Sequence, residues 1–175
     1  MKNILLSAII ILSFLSCTRT ETVINVVPYP AEVSVGSGSC QVAGAVFHVD
    51  EKADALSEAA VRRFAETLSA TTGAESQVVK GTASTGFVFS IDQNLPKEAY
   101  RLKVGRKGVK VEASGLNGFI YAIQTIKQML PVEIFGKETA AEEDWSLPCC
   151  RIEDAPRFGY RGMHMDVVRH FFDMD

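Results

Sequence analysis

The stretch EAYRLKVGRKGVKVEASGLNGFIYAIQTIKQML, Glu98–Leu130, decides the fold of this chain. Tyr100, Leu102 and Val104 alternate with Arg101 and Lys103. After a turn carrying Gly105 and Gly108, Val109, Val111 and Ala113 alternate with Lys110 and Glu112. Period-two alternation on both sides of a glycine-bearing turn predicts a β-hairpin with one apolar and one wet face. The period then changes. Leu116, Ile120, Ile123, Ile126 and Leu130 recur at helical spacing and stop before Pro131, which predicts an amphipathic helix with Ser114 as its N-cap.

Upstream, Leu56, Ala60, Phe64 and Leu68 recur every four residues with Arg62, Arg63 and Glu66 between them, which predicts a helix over 53–71 closed by Thr72 and Gly73. GAVFHVD, SQVVK and GFVFSID read as short strands. VINVVPYPAEVSVG reads as two apolar runs broken by prolines, which excludes a central strand there. Downstream, PVEIFGKETAAEEDWSLP is polar and turn-rich and reads as a connecting excursion. YRGMHMDVV alternates like a strand. A lone strand is not stable, so this one needs partners from elsewhere. The expected class is therefore α+β: a mixed β-sheet with two helices on one face, then the first strand of another unit.

Composition narrows the function. The 175 residues are 47% hydrophobic and 22% charged, with a net charge of -3. The pI is near 5.7 and the mean hydropathy is +0.10. Basic residues are scattered, so nucleic acid is not an expected partner. Lys2 followed by ILLSAIIILSFLS and Cys17 describes an export signal, too short for a comfortable membrane span. Cys17 after Ser16 resembles the lipidated first residue of a bacterial lipoprotein, although Phe14 stands where Leu is usual. A plain cleaved signal and an uncleaved anchor are the alternatives. The expected location is periplasmic or at the cell surface, as an outer-membrane lipoprotein held to the bacterial membrane through Cys17. Cys40, Cys149 and Cys150 have no metal-site spacing and read as buried or unpaired thiols, with a bridge from Cys40 to one of the pair as the other option. No metal or cofactor is implied.

The residues that carry chemistry lie at the end. RIEDAPRFGYRGMHMDVVRHFF resembles the entry to the catalytic barrel of family-twenty glycoside hydrolases, the β-N-acetylhexosaminidases. The matching positions are Asp154, Pro156, Arg157, Phe158, Arg161, Gly162, Asp166, Arg169, His170 and Phe171. The hairpin–helix stretch and VVPYPAEV resemble the accessory domain that precedes that barrel, which also occurs before other glycosidase barrels. The resemblance implies a (β/α)8 barrel begun by YRGMHMDVV, with the site at the C-terminal ends of its strands. It implies substrate-assisted retention, in which the 2-acetamido group of the sugar attacks its own anomeric carbon, an Asp orients that group and a Glu acts as acid and base. The H-x-G-G-D-E type context of that pair does not occur here, so no catalytic residue is expected in the chain and a truncated piece, inactive alone, is.

The resemblance makes Arg161 a substrate-binding residue for hydroxyls of the non-reducing sugar. Residue type alone reads it as an ion-pair partner. A guanidinium offers a fixed fork of donors suited to adjacent hydroxyls. Asp166, Arg169 and His170 read either as a cluster that orients the site from behind or as a salt bridge and turn. The turn is the reading for Arg169 and His170, while Asp166 stays open. Asp173 and Asp175 read as loop acids, His48 and His164 as packed residues, and Trp145 as weak evidence for a sugar platform. The expected organisation is a signal over 1–17, a tether over 18–22, the accessory domain over 23–150 and the barrel start over 151–175. Beyond Cys150 the chain is expected to be poorly ordered or docked on the accessory domain. The expected partners are glycans ending in N-acetylglucosamine or N-acetylgalactosamine. Another glycosidase sharing the accessory domain and a non-catalytic surface module are the competing functions.

Overall fold

A computed structural model describes residues 23–166 together with 168 and 169. The signal, the tether, Cys17, His170, Asp173 and Asp175 lie outside these residues. The strands are β1 Glu32–Gln41, β2 Val46–Val49, β3 Gln77–Lys80, β4 Gly86–Ile91, β5 Tyr100–Gly105, β6 Gly108–Ala113 and β7 Ser146–Asp154. The helices are α1 Ala55–Thr72 and α2 Leu116–Met129, with a 3-10 turn at Val132–Phe135. The strands form one seven-stranded sheet ordered β1-β7-β5-β6-β4-β2-β3. Its β1-β7-β5-β6 half is antiparallel, while β6-β4-β2-β3 is parallel, so the sheet is mixed as expected.

Alternation puts Tyr100, Leu102, Val104, Val109, Val111 and Ala113 into one apolar cluster with Phe64, Leu68, Phe119, Ile123 and Ile126 of the helices. Both helices therefore cover the same sheet face. Phe47 and Phe87 stack at 4.5 Å between ring centroids, and Phe64 meets both edge-on. The opposite face is wet. Arg101 reaches Glu153 at 3.2 Å and Asp92 at 3.4 Å, and Lys110 reaches Glu112 at 2.7 Å. Such half-exposed pairs shape the surface more than they stabilise the fold.

Helix α1 begins at Asp54, whose carboxylate accepts from the Ser57 amide at 2.7 Å, and ends at Gly73 in the left-handed region at φ 73. Its buried row is Ser57, Val61, Phe64, Ala65 and Leu68, while Leu56 is 67% exposed. The expected every-four row drifts because four residues exceed one turn by about 40°, so three steps rotate Leu56 about 120° away from Leu68. The start of α2 also differs from expectation. Gly115 is its N-cap, and the Ser114 hydroxyl instead donates to the Pro96 carbonyl at 3.3 Å. At Gly118 a Cβ would lie 2.5 Å from the Ala99 carbonyl oxygen and 2.6 Å from the Ala113 Cβ, so glycine lets α2 press onto the sheet here.

Strand β7 corrects two expectations. It pairs with both β1 and β5 and runs through to Asp154, so Arg151–Asp154 are part of the sheet and the boundary drawn at 150 falls inside a strand. The excursion before it packs as a cover. Ile134 and Trp145 are buried, the Ala140 amide donates to the Thr71 carbonyl at 2.7 Å, and the Trp145 indole donates to Ala140 at 2.8 Å. Trp145 is thus core and offers no face to a sugar. Cys40, Cys149 and Cys150 are buried free thiols, and burial pushes Cys150 up to about 11. Among the described residues no helix is long and apolar enough to cross a membrane.

Candidate functional site

The chain leaves the sheet at Asp154 and lies along the face of α2 that carries Tyr121, Gln124, Thr125 and Gln128. The Asp154 carboxylate accepts from the Ala31 amide at 3.1 Å, and Arg157 donates to the Tyr29 carbonyl at 3.2 Å. Gln128 of α2 clamps Val27 from both sides: the Val27 amide donates to its Oε1 at 2.9 Å, and its Nε2 donates to the Val27 carbonyl at 3.2 Å. Between these segments is a mostly apolar cavity of about 380 Å3, walled by Tyr29, Tyr121, Pro156 and Phe158 with Tyr100 and Thr125 among its lining residues. Tyr100 and Thr125 share a buried 2.7 Å hydrogen bond between hydroxyls. Burial, ahead of any other cause, pushes the Tyr100 phenol up to about 12.

Arg161 sits at the rim of this cavity. Its Nη2 donates to Glu98 Oε1 at 3.2 Å, to Glu98 Oε2 at 3.1 Å and to the Tyr121 hydroxyl at 3.0 Å. Its Nη1 donates to the Phe158 carbonyl. The guanidinium also lies 5.8 Å from the Tyr121 ring centroid, within cation–π reach. Glu98 accepts in addition from Asn117 Nδ2 at 2.9 Å and from Tyr121 at 3.3 Å. The hydrogen bond from Arg161, then its charge, holds the Glu98 carboxyl below the usual carboxylate range. Arg161 therefore occupies an ion pair in this structure, the arrangement that residue type alone suggests.

The strand expected over YRGMHMDVV is not formed by its described residues 160–166. Residues 160–166 pair with no ladder, and Tyr160 and Met163 are each 89% exposed. Alternation is a property of the residues, whereas a strand requires a neighbour to bond with. His164 is likewise exposed rather than packed, while His48 is half-buried in β2. Asp166 and Arg169 form a local turn: Asp166 Oδ1 accepts from the Val168 and Arg169 amides, and Arg169 Nε donates to Oδ2 at 2.5 Å. The hydrogen bond from the Arg169 side chain leads the causes that keep Asp166 low. Neither residue touches Arg161's ion pair. The single Asp-Glu dipeptide of the chain, Asp50–Glu51, is structural. Asp50 accepts from the Lys52 amide and from the Ile91 amide, both at 3.0 Å, joining the end of β2 to β4. Among the described residues no group of three His, Cys, Asp or Glu side chains is placed to hold a metal ion.

Sequence reasoning missed Glu98, Asn117 and Tyr121. Asn117 and Tyr121 are four apart and so share a helix face, which was legible. The approach of Glu98 depends on the α2–sheet contact at Gly118, which was not.

The described residues thus define a two-layer α+β domain, with both helices on one face of a mixed sheet and the following segment docked against it. The family model described as glycosyl hydrolase family 20, domain 2, matches residues 23–155. The chain belongs to glycosyl hydrolase family 20. It is 30% identical over 164 residues to a beta-hexosaminidase of Porphyromonas gingivalis, covering 87% of this chain and 20% of that protein. It is 29% identical over 151 residues to the N,N'-diacetylchitobiase of Vibrio harveyi, covering 86% of this chain and 16% of that one. Among solved structures, the N-acetyl-beta-hexosaminidase of Streptomyces plicatus in complex with Thio-NAglucal superposes with a TM-score of 0.74 at 28% identity, over 84% of this chain and 29% of that one. The chain thus spans a fifth or less of the length of these curated relatives.

Proposed function

We propose that this chain is the accessory domain and catalytic-barrel entry of an exported β-N-acetylhexosaminidase, an enzyme that removes terminal N-acetyl-hexosamine from glycans by substrate-assisted retention. The observation that carries the reading is positional: the family match ends at residue 155, and the Arg157–Phe158–Arg161–Gly162–Asp166 spacing follows at once. In this reading the sheet and helices anchor the entry segment, and YRGMHMDVV, residues 160–168, forms the first barrel strand once neighbours are present. Arg161 then presents its donors to hydroxyls of the terminal sugar. It positions the ring and supplies binding energy away from the bond that breaks. The acetamido carbonyl is the nucleophile, and the acid and base come from residues outside this chain.

The test joins residues 1–166 to the remainder of the Porphyromonas gingivalis relative's barrel, so that this chain supplies Arg161. The hybrid is expected to cleave a chromogenic β-N-acetylglucosaminide and to leave the matching β-glucoside, which lacks the acetamide, intact. Equal cleavage of both would contradict substrate assistance. The 175-residue chain alone is expected to cleave neither. Membrane attachment is tested separately: a labelled fatty acid is expected on the wild-type chain and absent from Cys17→Ser, and equal labelling would contradict a lipid on Cys17.

A further inference from the structure

We infer that Glu98, Asn117 and Tyr121 form a guanidinium-holding notch on the accessory domain, which latches the entry segment to helix α2 through Arg161 and withholds the Nη2 donors of that side chain from any other ligand while it is closed. Three features support this. Glu98 sits at φ 70, a region that non-glycine residues seldom adopt and that costs free energy unless the surroundings hold it. That backbone places the carboxylate where both of its oxygens face one nitrogen of Arg161. Tyr121 contributes twice, donating to Glu98 and accepting from Arg161. Finally, Gly118 lets α2 press against Ala99, next to Glu98, and Asn117 and Tyr121 of that helix both donate to Glu98 Oε1.

The consequence concerns exclusion. Nη2 of Arg161 is committed to Glu98 and Tyr121, and Nη1 to the Phe158 carbonyl. The N–H groups of Nη2 are thus taken up by Glu98 and Tyr121, and one of the two on Nη1 by the Phe158 carbonyl, so a ligand that needs Nη2 must first open the notch. The part of this inference that concerns a sugar rests on the proposed function. The latch itself does not, and its test uses no sugar.

The experiment is hydrogen exchange on the 175-residue chain, comparing peptides from 157–166 with peptides from α1 and β5 as internal controls. Glu98→Gln is expected to speed exchange in 157–166 about three- to fivefold, in keeping with the modest strength of an exposed ion pair, while the controls stay unchanged. Tyr121→Phe is expected to give a smaller change in the same peptides. Glu98→Gly separates latch from scaffold: it relieves the positive-φ backbone, so the midpoint of thermal unfolding is expected not to fall, yet exchange in 157–166 rises as in Glu98→Gln. The exchanged pair Glu98→Arg with Arg161→Glu is expected to recover most of the protection lost in Glu98→Arg alone. Wild-type exchange in Glu98→Gln, or no recovery in the exchanged pair, would overturn the latch.

Discussion

The body of the molecule, Ile24–Asp154, and the segment after it, Ala155–Arg169, are opposites. The body buries an unbroken apolar cluster from Ile24 to Ile152. The segment leaves Phe158, Tyr160, Met163 and Val168 between 72% and 93% exposed. Yet the segment carries the denser motif and the body carries almost none. The comparison teaches that order and chemistry are divided along this chain. The body folds because its own residues complete its layers. The described part of the segment adds no strand to those layers, and its Arg161 is held by Glu98 of the body.

The division can be broken most severely from inside the body. Phe87→Ala removes a fully buried ring that stacks on Phe47 and meets Phe64, and should cost about 3–5 kcal/mol in chemical denaturation. A loss below about 1 kcal/mol would mean that the aromatic cluster is not the core. Gly118→Ala should cost about 1–3 kcal/mol through overpacking against Ala99 and Ala113, and should also loosen the Arg161 segment in hydrogen exchange. Destabilisation without loosening would separate the helix contact from the latch.

Tyr100→Phe leaves the buried Thr125 hydroxyl without its partner and should cost about 1 kcal/mol. Tyr100 also sets an alkaline limit. Its folded pKa, about 12, lies above the ordinary phenol value of 10.0, so its contribution is full below pH 10 and is lost as pH rises from 10 through 12. Tyr100→Phe should flatten that slope, and an unchanged alkaline profile would contradict the buried pair. The smallest effect belongs to the segment. Phe158→Ala should change the body's stability by no more than about 0.5 kcal/mol, because the ring is 72% exposed. A larger loss would show that the segment is part of the core.

The sequence was legible where local pattern and tertiary neighbours agree. The Tyr100–Ala113 hairpin, both helices and the charged outer face follow from alternation and helical spacing alone. Strand β7 was hidden because Pro148 and the adjacent Cys149 and Cys150 interrupt its alternation, and its two neighbours are remote in sequence. Trp145 lay in an acidic, turn-rich stretch whose packing under Ala140 depends on contacts to Thr71 and Ala70 across the fold. Residues 160–166 show the converse, since their alternation is complete and their neighbours are missing among the described residues. For the site, the motif marked Arg161, but Glu98 had no motif and is visible only through the geometry at Gly118.

The central claim is that Arg161 serves a terminal amino sugar when the barrel is whole. The direct measurement is kcat/KM of the barrel-bearing hybrid on a chromogenic β-N-acetylglucosaminide, with and without Arg161→Ala. A side chain that orients the ring should, on removal, lower kcat/KM by on the order of a hundredfold, with unfolding unchanged. An Arg161→Ala hybrid as efficient as its parent would contradict the claim and leave Arg161 an ion-pair partner of Glu98 alone.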